Sequence, residues 1–151
     1  MYTIRPAQLS DLPVLLEFEQ KLIETERPMD PTIQEGKISY YSIEGFIKDP
    51  EVYILVAELD GKILASGYAR PKPDRPYLKH ELFGHLGFMY VDPESRGLGL
   101  NKLIVDELIA WCDERGLREI RLDVYQENPS AIRAYEKAGF KKHLIQMRLQ
   151  R

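Results

Sequence analysis

Alternating apolar and polar positions mark the first strands of this chain. They predict a short strand over residues 2–5, a hairpin of residues 52–59 and 62–70 around the turn dipeptide Asp60-Gly61, and another strand over residues 82–91. No helical pattern separates the last three strands. We therefore expect them to be antiparallel to one another.

Apolar residues at helical spacing predict a helix after the first strand. Ser10 or Asp11 is suited to cap it, Pro13 falls in its first turn, and Pro28 ends it. Its apolar side comprises Leu12, Leu15, Leu16, Phe18, Leu22 and Ile23. Residues 32–49 have a less regular spacing, which indicates one or two short helices.

The pattern changes in the second half of the chain, where helix and strand alternate. Helical spacing predicts a helix over residues 99–114 that ends near Gly116. A strand is predicted over residues 117–125. Because a helical crossover connects it to residues 82–91, we expect these two strands to be parallel.

The end of the chain completes a mixed fold. Asn128 is suited to cap another helix, Gly139 to close it, and residues 140–149 predict a last strand. A loop is predicted where prolines cluster, at positions 71, 73 and 76. The order β-α-α-β-β-β-α-β-α-β predicts one α/β domain over residues 1–151, with a mixed sheet of about six strands and helices on both faces.

Composition limits the classes of function. A net charge of −3 over 151 residues argues against nucleic acid as a partner. The N-terminus lacks a signal-peptide core and no apolar run reaches membrane-span length, so we expect no membrane partner and a cytoplasmic location. Cys112, the single cysteine, excludes an internal disulfide. We expect no metal, because Gly84 stands where H-E-x-x-H needs its second histidine.

The first candidate for chemistry is a glycine loop between a strand and a helix. Gly97 and Gly99 let the backbone approach a ligand closely, and the free N–H groups of the helix start suit a phosphate or diphosphate. The P-loop pattern is absent, and the dinucleotide pattern would need glycine where Lys102 stands. Binding of a nucleotide or dinucleotide at this loop is nevertheless an alternative.

A second motif runs from Asn128 to Phe140. The cap and the helical spacing place Ala131 and Tyr135 one turn apart on one face, so the small residue leaves a groove for the phenol. A phenol with a pKa of about 10 is protonated at neutral pH and is able to donate a proton. For the tyrosine alone, packing in a helix–sheet core is the alternative.

Together the two motifs resemble those of the GCN5-related N-acetyltransferase (GNAT) superfamily. The family's loop, Q/R-x-x-G-x-G/A, is matched at Arg96 and Gly99 and departs at Asn101, while its N-x-x-A-x-x-x-Y-x-K-x-G-F segment is matched throughout. The resemblance covers nearly the whole chain and implies N-acetyl transfer with acetyl-coenzyme A as co-substrate. It implies that the cofactor contacts Met89, Tyr90, Val91, Arg96, Gly97, Leu98, Gly99, Leu100, Asn101, Asn128, Ala131 and Tyr135.

The resemblance also implies direct transfer without an acyl-enzyme. A bulge near the end of residues 82–91, with which Gly87 is consistent, would splay this strand from the next and leave a slot for the cofactor. The Met89 N–H would polarise the thioester carbonyl. Tyr135 would protonate the departing thiolate.

The base that takes the proton of the amine is less well defined. His85 falls at the family's position for it, and an imidazole titrates near neutrality. A histidine hydrogen-bonded into the fold is an equally good interpretation. Glu81 lies on the same face but about 13 Å away, which fits a path through waters. Cys112, inside a helix and remote from any base, is expected to be a buried hydrophobic residue and not a nucleophile.

The acceptor is the least defined part of the site. The family builds it from segments that correspond to residues 24–43, residues 70–79 and the region after Phe140. Carboxylates and the Tyr40-Tyr41 pair suit a cationic amine, and a solvated surface with packing tyrosines is the alternative. We expect a small amine, an amino acid or a peptide or protein amine as acceptor. A non-catalytic acyl-coenzyme A sensor is the competing class, and the resemblance is compatible with a homodimer.

Overall fold

A five-stranded mixed sheet, with its strands side by side in chain order, organises the fold. The computed structural model describes all 151 residues. The strands are β1 (Thr3–Pro6), β2 (Tyr53–Leu59), β3 (Lys62–Pro73), β4 (Leu82–Val91) and β5 (Ile120–Arg121). Neighbours from β1 to β4 are antiparallel, and β5 runs parallel to β4, as the connections predicted.

Helices cover both faces of the sheet. They are α1 (Leu12–Glu26), α2 (Ile43–Lys48), α3 (Leu100–Glu114) and α4 (Pro129–Lys137). Under α1 and α2 lies a buried cluster of Leu15, Phe18, Ile43, Ile54, Val56, Tyr68, Phe88 and Tyr90. The larger cluster under α3 includes Leu55, Ala57, Ala69, Leu86, Ile104, Leu108 and Trp111. None of these helices has the length and hydropathy that crossing a bilayer requires. Since both faces of the sheet are buried, the α/β class is confirmed.

Several local predictions are confirmed. Asp60 and Gly61 have φ of 51° and 78°, as a type I′ hairpin turn requires. The structure places β4 at its predicted bounds, and α3 ends two residues before Gly116, whose φ is 72°. The Asn128 side chain accepts a hydrogen bond from the Ala131 N–H over 3.2 Å and caps α4.

The proline loop was predicted to begin too early. Pro71 and Pro73 lie inside β3, where they pair with Gly84 and Leu82 of β4. The Asp74 N–H donates to the Glu81 carbonyl oxygen over 2.9 Å, so the even-numbered amides here point towards β4. The odd-numbered positions, where the two prolines lie, face the opposite side, where β2 has already ended. Because no strand there could accept a hydrogen bond, the absence of an N–H group in proline costs no ladder bond.

The prediction of a last strand was wrong. Residues 140–149 form no strand, so the sheet has five strands and not six. Beyond Phe140 no backbone group makes a backbone hydrogen bond. The side chains of this segment are 70% to 89% exposed at Leu144, Ile145, Met147 and Leu149. Alternation yields a strand only where a neighbour supplies hydrogen bonds, and that neighbour, predicted over 117–125, is ordered as strand only at Ile120–Arg121.

Candidate active site

A bulge interrupts β4 in the middle of the sheet. Ser66 of β3 pairs with Tyr90 of β4. Tyr68, two residues further along β3, pairs with Gly87, three residues back along β4, so β4 holds one extra residue. Phe88 absorbs the distortion with a left-handed φ of 55°. The Ser66 hydroxyl donates to the Phe88 carbonyl oxygen over 3.0 Å and holds the distorted backbone in place.

Close approach of a side chain explains the glycine beside this bulge. A Cβ on Gly87 would lie 2.5 Å from Oη and 2.6 Å from Cζ of Tyr68. Any other residue would therefore displace a phenol that is only 2% exposed. The bulge with which Gly87 is consistent is thus present, and the Tyr68 ring approaches this glycine closely.

Strands β4 and β5 separate soon after they meet. Their only pairs are Gly84 with Ile120 and His85 with Arg121. Residues 122–125 continue from β5 without forming a ladder. From Leu86 onward β4 therefore has a free edge, and no ladder bridges the gap between it and residues 122–125. Such an edge is able to bind an extended ligand that carries amide groups, as an added strand does.

The side chains of Met89 and Tyr90, at the free edge of β4, pack into the core. Met89 packs over Gly67, where a Cβ would lie 2.7 Å from the Met89 sulfur. The Tyr90 ring lies 4.6 Å from that of Phe18 and is 5% exposed. A ligand in the gap could therefore contact only the backbone of these two residues. The roles expected for them require only backbone groups.

The glycine loop leads directly into α3. Gly97 and Gly99 have φ of 79° and 83°, and Gly99 is the N-cap of the helix. The first intrahelical hydrogen bond runs from the Leu103 N–H to the Gly99 carbonyl over 3.1 Å. The N–H groups of residues 100–102 thus have no helical acceptor and suit an anion. Exposed Arg96 adds positive charge, and its Nε donates to the Val91 carbonyl over 3.3 Å.

Other loop positions differ in what they offer a ligand. Leu98 is 56% exposed, whereas Leu100 is 1% exposed and anchors the first turn of α3 in the core. Asn101, the departure from the family pattern, is half-buried in that same turn. Its side chain adds an amide beside the free N–H groups of the helix start.

Helix α4 carries the tyrosine of the second motif. Asn128 caps the helix, and Ala131 and Tyr135 lie one turn apart, both half-buried. The Tyr135 ring meets that of Phe140 edge-on at 6.0 Å. Burial, together with the charge of Glu26, raises the pKa of Tyr135 to about 12. The phenol is therefore protonated throughout the neutral range.

His85 lies on the α1–α2 face of the sheet, beside the bulge. Its Nδ1 is 3.2 Å from Oη of Tyr68. Burial lowers the pKa of His85, and the charge of Lys72 lowers it further; Asp123 raises it in part, and the charge of Arg70 has the smallest, lowering effect. The imidazole is consequently neutral at neutral pH.

The other two candidates lie elsewhere. Glu81 is exposed just before β4, and its carbonyl accepts the hydrogen bond from Asp74 that was described above. Cys112 is fully buried in α3, and burial raises its pKa to about 11, so its thiol is protonated at neutral pH. No three His, Cys, Asp or Glu side chains come together as they would around a metal ion.

Carboxylates and phenols converge where α1 ends. Burial raises the pKa of Glu26, the last residue of α1. Burial and the nearby Glu26 carboxylate raise the pKa of Tyr40. Asp30 accepts hydrogen bonds from Tyr125 over 3.1 Å and from Arg148 over 2.9 Å. The end of α1, the chain after β5 and the C-terminal segment thus meet on one side of the gap.

Sequence reasoning missed three residues beside His85. Tyr68 and Arg70 come from β3, and Asp123 follows β5. Their proximity depends on strand register across the bulge, which residue spacing does not encode. The glycine at position 87 was the one available signal, since a glycine in a strand marks a close approach.

Comparison with known proteins places this arrangement among acetyltransferases. The model of the acetyltransferase (GNAT) family matches residues 17–140. The mycothiol acetyltransferase of Geodermatophilus obscurus is 29% identical over 106 residues, which cover 68% of this chain and 33% of that protein. The chain thus spans about a third of the length of this curated relative.

Solved structures share the fold over nearly the whole chain. A predicted acetyltransferase from Clostridium acetobutylicum, solved with acetyl-coenzyme A, is 21% identical with a TM-score of 0.78, and the match covers 99% of this chain and 96% of that one. The glucosamine-6-phosphate N-acetyltransferase of Arabidopsis thaliana is 25% identical with a TM-score of 0.72, over 99% and 98% of the two chains.

Proposed function

This chain belongs to the acetyltransferase (GNAT) family, and we propose that residues 1–151 form an N-acetyltransferase domain that moves an acetyl group from acetyl-coenzyme A to a primary amine. The observation that carries the proposal is the gap between β4 and β5, with free helix N–H groups in the loop that follows β4 and Tyr135 on the helix that follows β5. A long ligand with a diphosphate, amide groups and a thioester matches this order of groups.

The cofactor contacts follow the chemistry of each part. The diphosphate is held by the loop from Arg96 to Asn101, through the backbone of Gly97, Leu98, Gly99 and Leu100. The amide-bearing arm pairs with the free edge of β4 at Met89, Tyr90 and Val91. Asn128 and Ala131 line the other side of the gap at the start of α4. The N–H groups at the start of α3 and the β5-facing edge of β4 at Met89 and Val91 are left available by the fold, whereas Tyr90 between them pairs with Ser66 of β3.

Acetyl transfer takes place by direct attack of the neutral amine on the thioester carbonyl. The nitrogen–carbon bond forms, the carbonyl oxygen gains charge beside the Met89 N–H, and the carbon–sulfur bond then breaks. The thiolate takes the proton of Tyr135, the nitrogen releases one proton to a base, and the Tyr135 phenolate regains a proton from solvent. Cys112 takes no part, because its thiol is buried and protonated. The base is His85, Glu81 or a water molecule.

The acceptor is proposed to be a small cationic amine. The half-buried Glu26 carboxylate, beside the Tyr40 phenol, favours a positively charged group. The two relatives described above are named for mycothiol and for glucosamine 6-phosphate, both small molecules. An amino acid and a peptide or protein amine are the alternative acceptors.

The test is turnover of acetyl-coenzyme A with a panel of small amines, amino acids and peptides. Release of free coenzyme A, together with the mass of the acetylated amine, would support the proposal. Binding of the cofactor without turnover of any amine would support the alternative, a non-catalytic acyl-coenzyme A sensor. Asn101 favours that alternative, because it replaces the family's glycine or alanine in the first turn of α3.

A homodimer is a further part of the proposal. The C-terminal segment after Phe140 exposes apolar side chains and unpaired backbone groups, which a second copy would cover. Light scattering with size-exclusion chromatography measures the mass directly, and a monomeric mass at micromolar concentration would contradict the dimer.

A further inference from the structure

The hydrogen bond between Tyr68 and His85 determines what the histidine is able to do. Nδ1 of His85 lies 3.2 Å from Oη of Tyr68, and the two ring centroids are 5.8 Å apart. Tyr68 is 2% exposed, so no bulk water replaces this partner. A neutral imidazole carries one hydrogen on its two nitrogens, and the position of this hydrogen decides which nitrogen donates and which accepts.

The groups around the phenol indicate the direction of this bond. Burial raises the pKa of Tyr68, although the nearby Arg70 guanidinium lowers it in part. The phenol is therefore protonated, and its hydrogen needs an acceptor in a buried place. Nδ1 of His85 is the hydrogen-bond partner that this hydroxyl has in the structure, so the hydroxyl directs its hydrogen to Nδ1.

The fold holds this geometry from several sides. The Tyr68 ring packs edge-on against Tyr41 at 5.6 Å and Phe46 at 5.1 Å. The Arg70 guanidinium lies 5.2 Å from the Phe46 ring centre. Gly87 has no Cβ, which is what allows the phenol to cross β4 to His85. The bulge, the glycine and the aromatic cluster thus together fix the position of the Tyr68 hydroxyl relative to His85.

We propose that Tyr68 is a positioning residue that donates to Nδ1 of His85, so that the neutral imidazole keeps its hydrogen on Nε2. In the acetyl transfer proposed above, on which this role rests, His85 then donates a hydrogen bond from Nε2 to an oxygen of the acceptor or its bound water. It does not take the proton of the amine, because neither nitrogen has a free lone pair. That proton passes to water.

The charges that face His85 agree with this role. Lys72 and Arg70 disfavour a positive charge on the imidazole, and Asp123 is the one carboxylate that acts in the opposite direction. A histidine that takes up a proton in each turnover would be charged beside two cations. A histidine that only donates stays neutral.

The tautomer is measured directly by NMR on the ligand-free protein labelled with nitrogen-15 in histidine. We expect hydrogen on Nε2 of His85 in the wild type, and a changed tautomer signature in Tyr68→Phe. The control is Tyr53→Phe, which removes a hydroxyl from a ring that stacks on Trp111 on the other face of the sheet; it should leave the His85 signals unchanged. Hydrogen on Nδ1 in the wild type would overturn the proposal, whether or not the protein is an enzyme.

A pair of histidine variants tests the catalytic part. The amide nitrogen of His85→Gln reaches the position of Nε2, whereas that of His85→Asn reaches only the position of Nδ1. We expect kcat/KM to be about tenfold higher in the glutamine variant than in the asparagine variant, with the acid limb of the pH profile retained in both. Equal losses in both, with loss of that limb, would show that His85 is the base. Thermal stabilisation by coenzyme A confirms that each variant is folded, and absence of turnover in the wild type would refute the proposed function and not the tautomer.

Discussion

Two residues of the site have backbone conformations that most residues avoid. Phe88 has φ of 55° and Gly97 has φ of 79°. For Phe88 the strain, of the order of 1 kcal/mol, is offset by burial of a ring that is 1% exposed. Around Gly97 there is open space, so the conformation alone requires glycine.

Replacing Gly97 by alanine tests this distinction. A Cβ would meet nothing within 4 Å, so only the left-handed φ is penalised. We expect Gly97→Ala to lower the free energy of unfolding by about 1 kcal/mol and to weaken binding of coenzyme A. Urea unfolding and calorimetry measure the two effects.

A matched control lies in the hairpin turn. Gly61 has φ of 78° and equally open surroundings, far from the loop. Gly61→Ala should therefore lower stability by a similar amount and leave the affinity for coenzyme A unchanged. Equal affinities of the two variants for coenzyme A would show that the glycine loop takes no part in cofactor binding.

Replacing Tyr135 by phenylalanine removes the proposed acid. We expect kcat to fall about 10²-fold while the affinity for coenzyme A changes little. Because burial and Glu26 raise the pKa of Tyr135 to about 12, the phenol keeps its proton as pH rises through the mildly alkaline range. The wild type should therefore show no alkaline loss of kcat from this group in that range. Steady-state kinetics over pH measure both effects, and unchanged turnover would remove the assigned role.

At the scale of elements, the sequence predicts best where an element supplies its own hydrogen bonds or lies between partners. The helices α3 and α4 are predicted with their caps because the signals, Gly116 and Asn128, are local. The bounds of β4 are predicted correctly because this strand lies inside the sheet and is covered on both faces.

The predictions that failed all depended on a neighbour. Pro71 and Pro73 extend β3 because β2 has ended on their side, which no local pattern shows. Residues 140–149 alternate like a strand and have no partner. Within the site, Tyr135 and the loop follow from motifs, whereas Tyr68 reaches His85 only through register across a bulge.

The cap of α4 is expected to matter more than most. This helix has nine residues and no fully buried side chain, so little packing stabilises it. We expect Asn128→Ala to destabilise α4 by about 1 kcal/mol and to lower kcat by misplacing Tyr135. Hydrogen exchange over residues 129–137 measures the first effect. Asn128→Asp, which keeps an accepting oxygen, should preserve the low exchange rates, and equally rapid exchange in both variants would contradict a capping role.

At the scale of the whole molecule, Asp30 connects distant parts of the chain. It accepts hydrogen bonds from Thr32, Tyr125 and Arg148. These three come from the segment after α1, the chain after β5 and the C-terminal segment. Since the C-terminal segment has no backbone ladder, this carboxylate is a principal attachment for it.

The attachment should depend on acid pH. Hydrogen bonds from Thr32, then from Arg148 and Tyr125, lower the pKa of Asp30. Because the pKa of Asp30 is lower in the folded than in the unfolded protein, its ionisation stabilises the fold at pH values above the unfolded pKa of about 3.9. This stabilisation is lost as the pH falls through the pKa of the folded state. We expect Asp30→Asn to increase proteolysis of residues 141–151 at neutral pH and to abolish that part of the acid dependence. Proteolysis followed by mass spectrometry measures this, and equal cleavage of both proteins would contradict it.

Only two residue pairs join β4 to β5, so the proposed ligand in the gap between them should affect the stability of the protein. In the proposed complex the acyl donor pairs with the free edge of β4 beyond these two pairs. A ligand that binds only the folded chain raises the free energy of unfolding by about 2.7 kcal/mol at a concentration of 100 times Kd. Cellular proteases act on opened chains, so the half-life of the protein should lengthen when its thioester is plentiful and shorten in starvation. The abundance of the catalyst would then follow the availability of its own donor, without a separate regulator.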